Sequence, residues 1–194
     1  RRNFLMVLEK ISIGDITADE YRKAAALLPH LKNRQEDDIK RTLAGRILLR
    51  KMVKRLYGKT DFDVKTGKNG KPELDFCFFN ISHSGKYAVC AVSDVPVGID
   101  IEKMTDFKRR ERYMLFSKEE SDYVNEAEST ERFYTLWTMK EAYIKAVGGT
   151  LGGAGKVTLV RDGRLCAEFK GYLFKTECCD GYALTVCEKA RCRY

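Results

Sequence analysis

The apolar positions change period several times along the chain. Phe4 to Leu8 form an apolar stretch that suits a first strand. Thr17-Ala18-Asp19-Glu20 spells a capping box, a hydroxyl followed three residues on by a carboxylate, ahead of a helix running toward Leu28-Pro29. Ile39, Leu43, Ile47, Val53 and Leu56 then recur at mostly helical spacing behind the acids Glu36-Asp37-Asp38, and Gly58 closes this long second helix. After a loop rich in Lys, Gly and Asp (Gly58 to Pro72), three strand-like runs follow: Phe76 to Ser82, Tyr87 to Val92 and Val97 to Glu102. They read as successive strands of one sheet.

A second capping box, Ser117-Lys118-Glu119-Glu120, precedes another long helix over 130–147 that stops at Gly148-Gly149. From Lys156 the pattern turns to strands again, with Asp162-Gly163 as a hairpin signal and Tyr182 to Cys187 as a late strand. Strand, helices, strands thus occurs twice, with a break near residue 97 and no residue-level repeat. The pattern predicts an α+β protein of two similar halves, 1–97 and 98–194.

Composition narrows the class. With 44% hydrophobic and 33% charged residues in 194, the chain has enough apolar material for a core. No apolar run approaches the roughly 20 residues that cross a bilayer, so the expectation is a soluble, cytoplasmic protein without membrane contact. Seven cysteines without a C-x-x-C pair or zinc-type spacing read as reduced thiols, with Cys178, Cys179, Cys187 and Cys192 the set that a fold would have to gather for anything more.

Charge adds a location. The net +8 lies entirely in residues 32–71, which hold thirteen basic and five acidic side chains; the remaining 154 residues carry 23 of each. One basic window in an otherwise neutral chain points to an anionic partner met at one place.

Several short patterns carry chemistry, each with an ordinary alternative. Asp100 and Glu102 are two apart in a strand, so their carboxylates share a face while Ile99 and Ile101 take the other. Two such acids suit Mg²⁺, or form the solvated face of a half-buried strand. Trp137, Lys140, Glu141, Ile144 and Lys145 lie along one side of a helix, where Glu141 and Lys145 make either a catalytic pair or a plain i, i+4 ion pair. His83, flanked by Ser82 and Ser84 with Lys86 nearby, has the donors to hold a phosphate. The Gly-rich stretch 148–155 lacks the Gly-Lys-Ser/Thr of a phosphate loop and reads as a helix stop.

Together these patterns occur in one order: Gly70-Lys71-Pro72, Asn80-Ile81-Ser82-His83-Ser84, Gly98-Ile99-Asp100-Ile101-Glu102, then Trp137-x-x-Lys140-Glu141-x-x-x-Lys145. In this the chain, from about Arg41 to Gly148, resembles the 4′-phosphopantetheinyl transferases of the Sfp type, the surfactin-synthetase-activating class built of two fused similar halves related by pseudo-twofold symmetry. The resemblance implies transfer of phosphopantetheine from coenzyme A to a serine of an apo acyl, peptidyl or aryl carrier protein, an acidic partner, with release of adenosine 3′,5′-bisphosphate. It implies that Asp100, Glu102 and Glu141 bind Mg²⁺, that Glu141 is the base, and that Lys145 meets charge on the leaving phosphate. It further implies coenzyme A contacts from Lys71, Ser82, His83, Arg41 and Thr42, with Lys32 and Arg34 as further basic contacts. The N-terminal half then holds coenzyme A phosphates, the C-terminal half supplies metal and catalytic residues, and the site lies at the junction of a monomer.

Two other readings remain open to test. A basic nucleic-acid-binding module would use the 32–71 window but leaves the acidic triad unexplained, and no nucleic-acid-binding motif accompanies the charge. Another Mg²⁺-dependent phosphoryl or nucleotidyl transferase would keep the metal site and change the donor.

Overall fold

The computed structural model describes residues 6–28, 35–105, 115–126 and 129–191. Lys32 and Arg34, like His30 and Cys192, lie outside them. The first half runs β1 (Val7–Ser12), α1 (Ala18–Ala26), α2 (Glu36–Tyr57), the short β2 (Lys65–Thr66) and β3 (Pro72–Glu73), then the hairpin β4 (Phe78–Ser84) and β5 (Tyr87–Ser93). The second runs β6 (Val97–Lys103), α3 (Lys118–Asn125), α4 (Thr130–Val147), short β7 (Val160–Arg161), β8 (Arg164–Leu165) and β9 (Glu168–Phe169), and the hairpin β10 (Tyr172–Cys179) and β11 (Tyr182–Lys189).

Helix boundaries follow the local signals. Thr17 and Ser117 both form complete capping boxes, with Glu20 and Glu120 reaching back to the cap backbone. Gly58 and Gly148 end α2 and α4 in the left-handed conformation that satisfies the last carbonyls. Asp162 and Gly163 both have positive φ at the β7–β8 turn, as the hairpin reading requires. The first strand, Val7–Ser12, takes in the end of the apolar stretch that suggested it; Phe4 and Leu5 lie outside the described residues.

The sheets correct one expectation. β4 and β5 pair with β1 in the order β1-β5-β4, whereas β6 belongs to a separate sheet, β6-β11-β10-β9. The three runs between 76 and 102 therefore do not make one sheet. In each sheet the last strand of the hairpin lies between the first strand of its half and the hairpin's own first strand, so both halves share one strand order.

Alternation along the strands explains the layers. On β5, Cys90 and Val92 pack under α2 with Leu48, Leu49, Met52 and Val53. Val89 and Ala91 face the other way, against Ile99, Ile101 and Val186 of the second sheet. The opposite face of that second sheet packs on α4 through Ala183 and Cys187. Two glycines set the closest helix–sheet approaches. A Cβ on Gly45 of α2 would strike the Ile81 side chain, and one on Gly98 would strike the backbone of α4 at Ala142 and Ala146.

The free edges of β4 and β6 meet without a backbone ladder. Instead the Ile99 N–H donates to Asn80 Oδ1 (2.8 Å), Ile101 N–H to Ser82 Oγ (3.3 Å) and Lys103 N–H to Ser84 Oγ (3.0 Å). Alternate polar side chains of one strand thus satisfy alternate amides of the next, which would otherwise be costly to bury. This seam joins the halves. Among the described residues no helix is long and apolar enough to cross a membrane.

Candidate active site

β6 carries Asp100 and Glu102 on the face toward α4, and Gly98 lets α4 lie close enough for its Lys145 to reach Asp100, with Glu141 lining the same cavity. Trp137, one turn before Glu141, is 3% exposed and forms part of the same wall. From the first half, Thr42 of α2 and Ser82 and His83 of β4 close the opposite side of a cavity of about 610 Å³. The structure thus gathers Thr42, Ser82, His83, Asp100, Glu102, Glu141 and Lys145 around one space where the halves meet.

Within it the polar contacts are ordered. Lys145 Nζ donates to Asp100 Oδ1 at 2.5 Å and to Ser82 Oγ at 3.3 Å. Ser82 in turn donates to Asp100 Oδ1 (2.9 Å), and Ser84 to Glu102 Oε2 (3.1 Å). Each seam serine therefore binds a β6 amide and orients a β6 carboxylate. The hydroxyls flanking His83 are engaged with these acids, a role that the strand alternation Asn80-x-Ser82-x-Ser84 contains but that the reading as phosphate donors passed over.

Asp100 is 3% exposed, and burial pushes its pKa above the ordinary carboxylate value, opposed by the adjacent Lys145 ammonium. Its Oδ2 is buried and, among the described residues, has no hydrogen-bond partner. Burial lowers the His83 pKa from its ordinary value, opposed by the Asp38 carboxylate and aided by the charges of Arg41 and Lys145.

Two expected contacts stand apart from the cavity. Lys71 turns its ammonium to the Ala146 carbonyl (3.1 Å), and Asn69 donates to the Gly148 carbonyl (2.7 Å), so the 67–72 loop caps the C-terminal end of α4. Arg41 does not line the cavity and acts on it through its charge near His83. A residue not foreseen, Arg46, does line it, one turn after Thr42. Behind Glu141, Lys140 is fully buried and donates to Glu120 Oε2 (2.6 Å) and to the Val157 carbonyl (2.5 Å), while Glu120 Oε1 accepts from the Leu159 amide (2.8 Å). This pair fixes α4 to α3 and to the segment after it.

The donor set suits a hard cation: three carboxylates face one cavity, and the orphaned Asp100 Oδ2 needs a positive partner. Among the described residues no three His, Cys, Asp or Glu side chains are close enough to hold a metal ion by themselves. Among the described residues six cysteines are free thiols, and burial raises the pKa of Cys187 to about 12.

Comparison with known proteins separates the readings left open by the residues. Residues 18–95 match the family model for the N-terminal part of 4′-phosphopantetheinyl transferases, and residues 96–187 that of the 4′-phosphopantetheinyl transferase superfamily. The 4′-phosphopantetheinyl transferase Sfp of Bacillus subtilis (strain 168) is 37% identical over 168 residues, covering 78% of this chain and 75% of that protein. The chain belongs to the 4′-phosphopantetheinyl transferase superfamily. The transferase gsp of Aneurinibacillus migulanus is 40% identical over 123 residues (57% of this chain, 49% of that protein). The mouse L-aminoadipate-semialdehyde dehydrogenase-phosphopantetheinyl transferase is 37% identical over 139 residues (59% and 44%). The protein is therefore a phosphopantetheinyl transferase, an enzyme that draws its group from coenzyme A. The two family matches meet at 95/96, one residue before β6 begins.

Proposed function

We propose that the cavity between the halves is where phosphopantetheine passes from coenzyme A to a carrier-protein serine, and that the residues lining it divide the work as follows. Asp100, Glu102 and Glu141 would hold Mg²⁺ beside the coenzyme A diphosphate. When bound, Mg²⁺ offsets the negative charge that builds on the diphosphate as its anhydride bond breaks. Glu141 takes the proton from the carrier serine hydroxyl. The serine oxygen then forms a bond to the phosphorus that bears pantetheine, and the bond from that phosphorus to the bridging oxygen breaks, releasing adenosine 3′,5′-bisphosphate. Lys145, held against Asp100, supplies positive charge beside the leaving phosphate.

Thr42 and His83 contact the donor from the first half, with Arg41 contributing its field. Ser82 and Ser84 keep the two β6 carboxylates in place. Lys71 serves by joining the first half to the end of α4. This division gives 1–97 mainly to coenzyme A and 98–194 to the metal and catalysis. Both walls belong to one chain, so a monomer is complete. Because basic residues crowd the 32–71 window, the carrier is an acidic one.

The observation that carries the reading is the placement of Asp100, Glu102, Glu141 and Lys145, from two separate elements, on one cavity. The test is transfer to an apo carrier protein with and without a chelator. Chelation should abolish transfer and added Mg²⁺ restore it; full transfer after exhaustive chelation would remove the metal from the account.

A further inference from the structure

Arg46 sits on the inner side of α2, where a second cavity of about 390 Å³ adjoins the first. Among the described residues only Arg46 and Pro72 line both. The Arg46 Nη1 is buried and, among the described residues, bonds to nothing. A buried guanidinium nitrogen without a partner is costly, and a fold retains one at little benefit unless something arrives to pair with it.

Among the described residues no carboxylate pairs with Arg46 Nη1, although Asp100, Glu102 and Glu141 line the first cavity with it. Arg50, one turn on, also lines the second cavity and adds like charge. Cys90, whose charge would favour the guanidinium, is a buried thiol held strongly protonated by its apolar setting. Asp63, an acid on the second cavity, has its field on Lys65, whose ammonium already binds Asp75 (2.6 Å). Thr42, one turn before Arg46, opens into the first cavity beside His83. A planar, permanently charged fork at such a place fits a phosphate.

Resting on the reading of the cavity as the coenzyme A site, we propose that Arg46 binds a phosphate of coenzyme A where the donor passes from the first cavity toward the second. Two phosphate sources share that chemistry, the diphosphate and the 3′-phosphate.

The test measures coenzyme A binding by calorimetry, at fixed Mg²⁺, for the wild type, Arg46→Met and Arg46→Lys, with thermal melts of each free protein. Losing a charge-assisted contact should weaken coenzyme A binding about ten- to a hundredfold in Arg46→Met, and Arg46→Lys should recover part of the loss. The free Arg46→Met protein should melt no lower than wild type, because it removes an unpaired buried cation. Repeating the pair with 3′-dephospho-coenzyme A assigns the phosphate: a difference that vanishes supports the 3′-phosphate, and one that persists supports the diphosphate. Equal coenzyme A affinity in a folded Arg46→Met protein overturns the inference, as does weaker binding that merely accompanies a lower melting temperature. Failure of the wild type to bind coenzyme A would instead overturn the reading of the cavity.

Discussion

Glu141 and Asp100 line the same cavity, where Asp100 is tied to Lys145 and Ser82 and, in the proposed reaction, Glu141 takes the proton of the carrier serine. Glu141→Gln keeps the shape and removes the base, so transfer should fall by about a hundredfold or more with the melting temperature nearly unchanged; steady-state transfer with circular-dichroism melts checks both. His83 offers a pH signature. Its pKa is depressed in the free protein, so the folded state resists protonation, and stability should decline as pH falls below 6.5. A phosphate beside it would raise that pKa, so coenzyme A binding near pH 6.5 should take up a proton. Calorimetry in two buffers of different ionisation enthalpy reads this directly, and identical heats would argue against contact between His83 and the donor.

At the level of elements, β6 against α4 is the packing that makes the site. Gly98→Ala would force the backbone of α4 away from β6, a change costing on the order of 1–3 kcal/mol. It should lower activity more than Ala substitution at an open glycine such as Gly152, measured by melts and transfer assays side by side. Lys140→Met leaves Glu120 buried without its cation and should cost roughly 3–5 kcal/mol, of which adding Glu120→Leu should recover only part, because it also takes the acceptor from the Leu159 and Ser117 amides. Much of this scaffold was legible in the sequence because capping boxes, helix-ending glycines and strand alternation are local signals. The division of 76–102 between two sheets was not, since pairing partners are chosen by residues far away: β6 pairs with β11, some eighty residues on. The same distance hid the tasks of Ser84 and Lys71. Their bonds to Glu102 and to the end of α4 depend on how the halves meet, whereas Asp100 and Glu102 announced themselves by sharing a strand face.

Across the whole molecule, the seam of Asn80, Ser82 and Ser84 and the apolar layer of Val89, Ala91, Ile99 and Ile101 bind the halves into one unit. Heating should therefore give a single transition that coenzyme A shifts upward as a whole, by about 2.7 kcal/mol of stability at a hundredfold excess over Kd; two separable transitions in calorimetry would contradict this. The basic window also looks different once folded. Lys40 pairs with Glu36 inside the window, and Lys51, Lys65 and Arg55 pair with Glu20, Asp75 and Glu9 outside it, so three of its eight surplus charges meet an acid within the first half. The most direct measurement is mass spectrometry of several apo carrier proteins incubated with the enzyme, coenzyme A and Mg²⁺. The account predicts a gain of one phosphopantetheine on a carrier serine with wild type and almost none with Glu141→Gln. No gain on any carrier, or equal gain with both proteins, would contradict it.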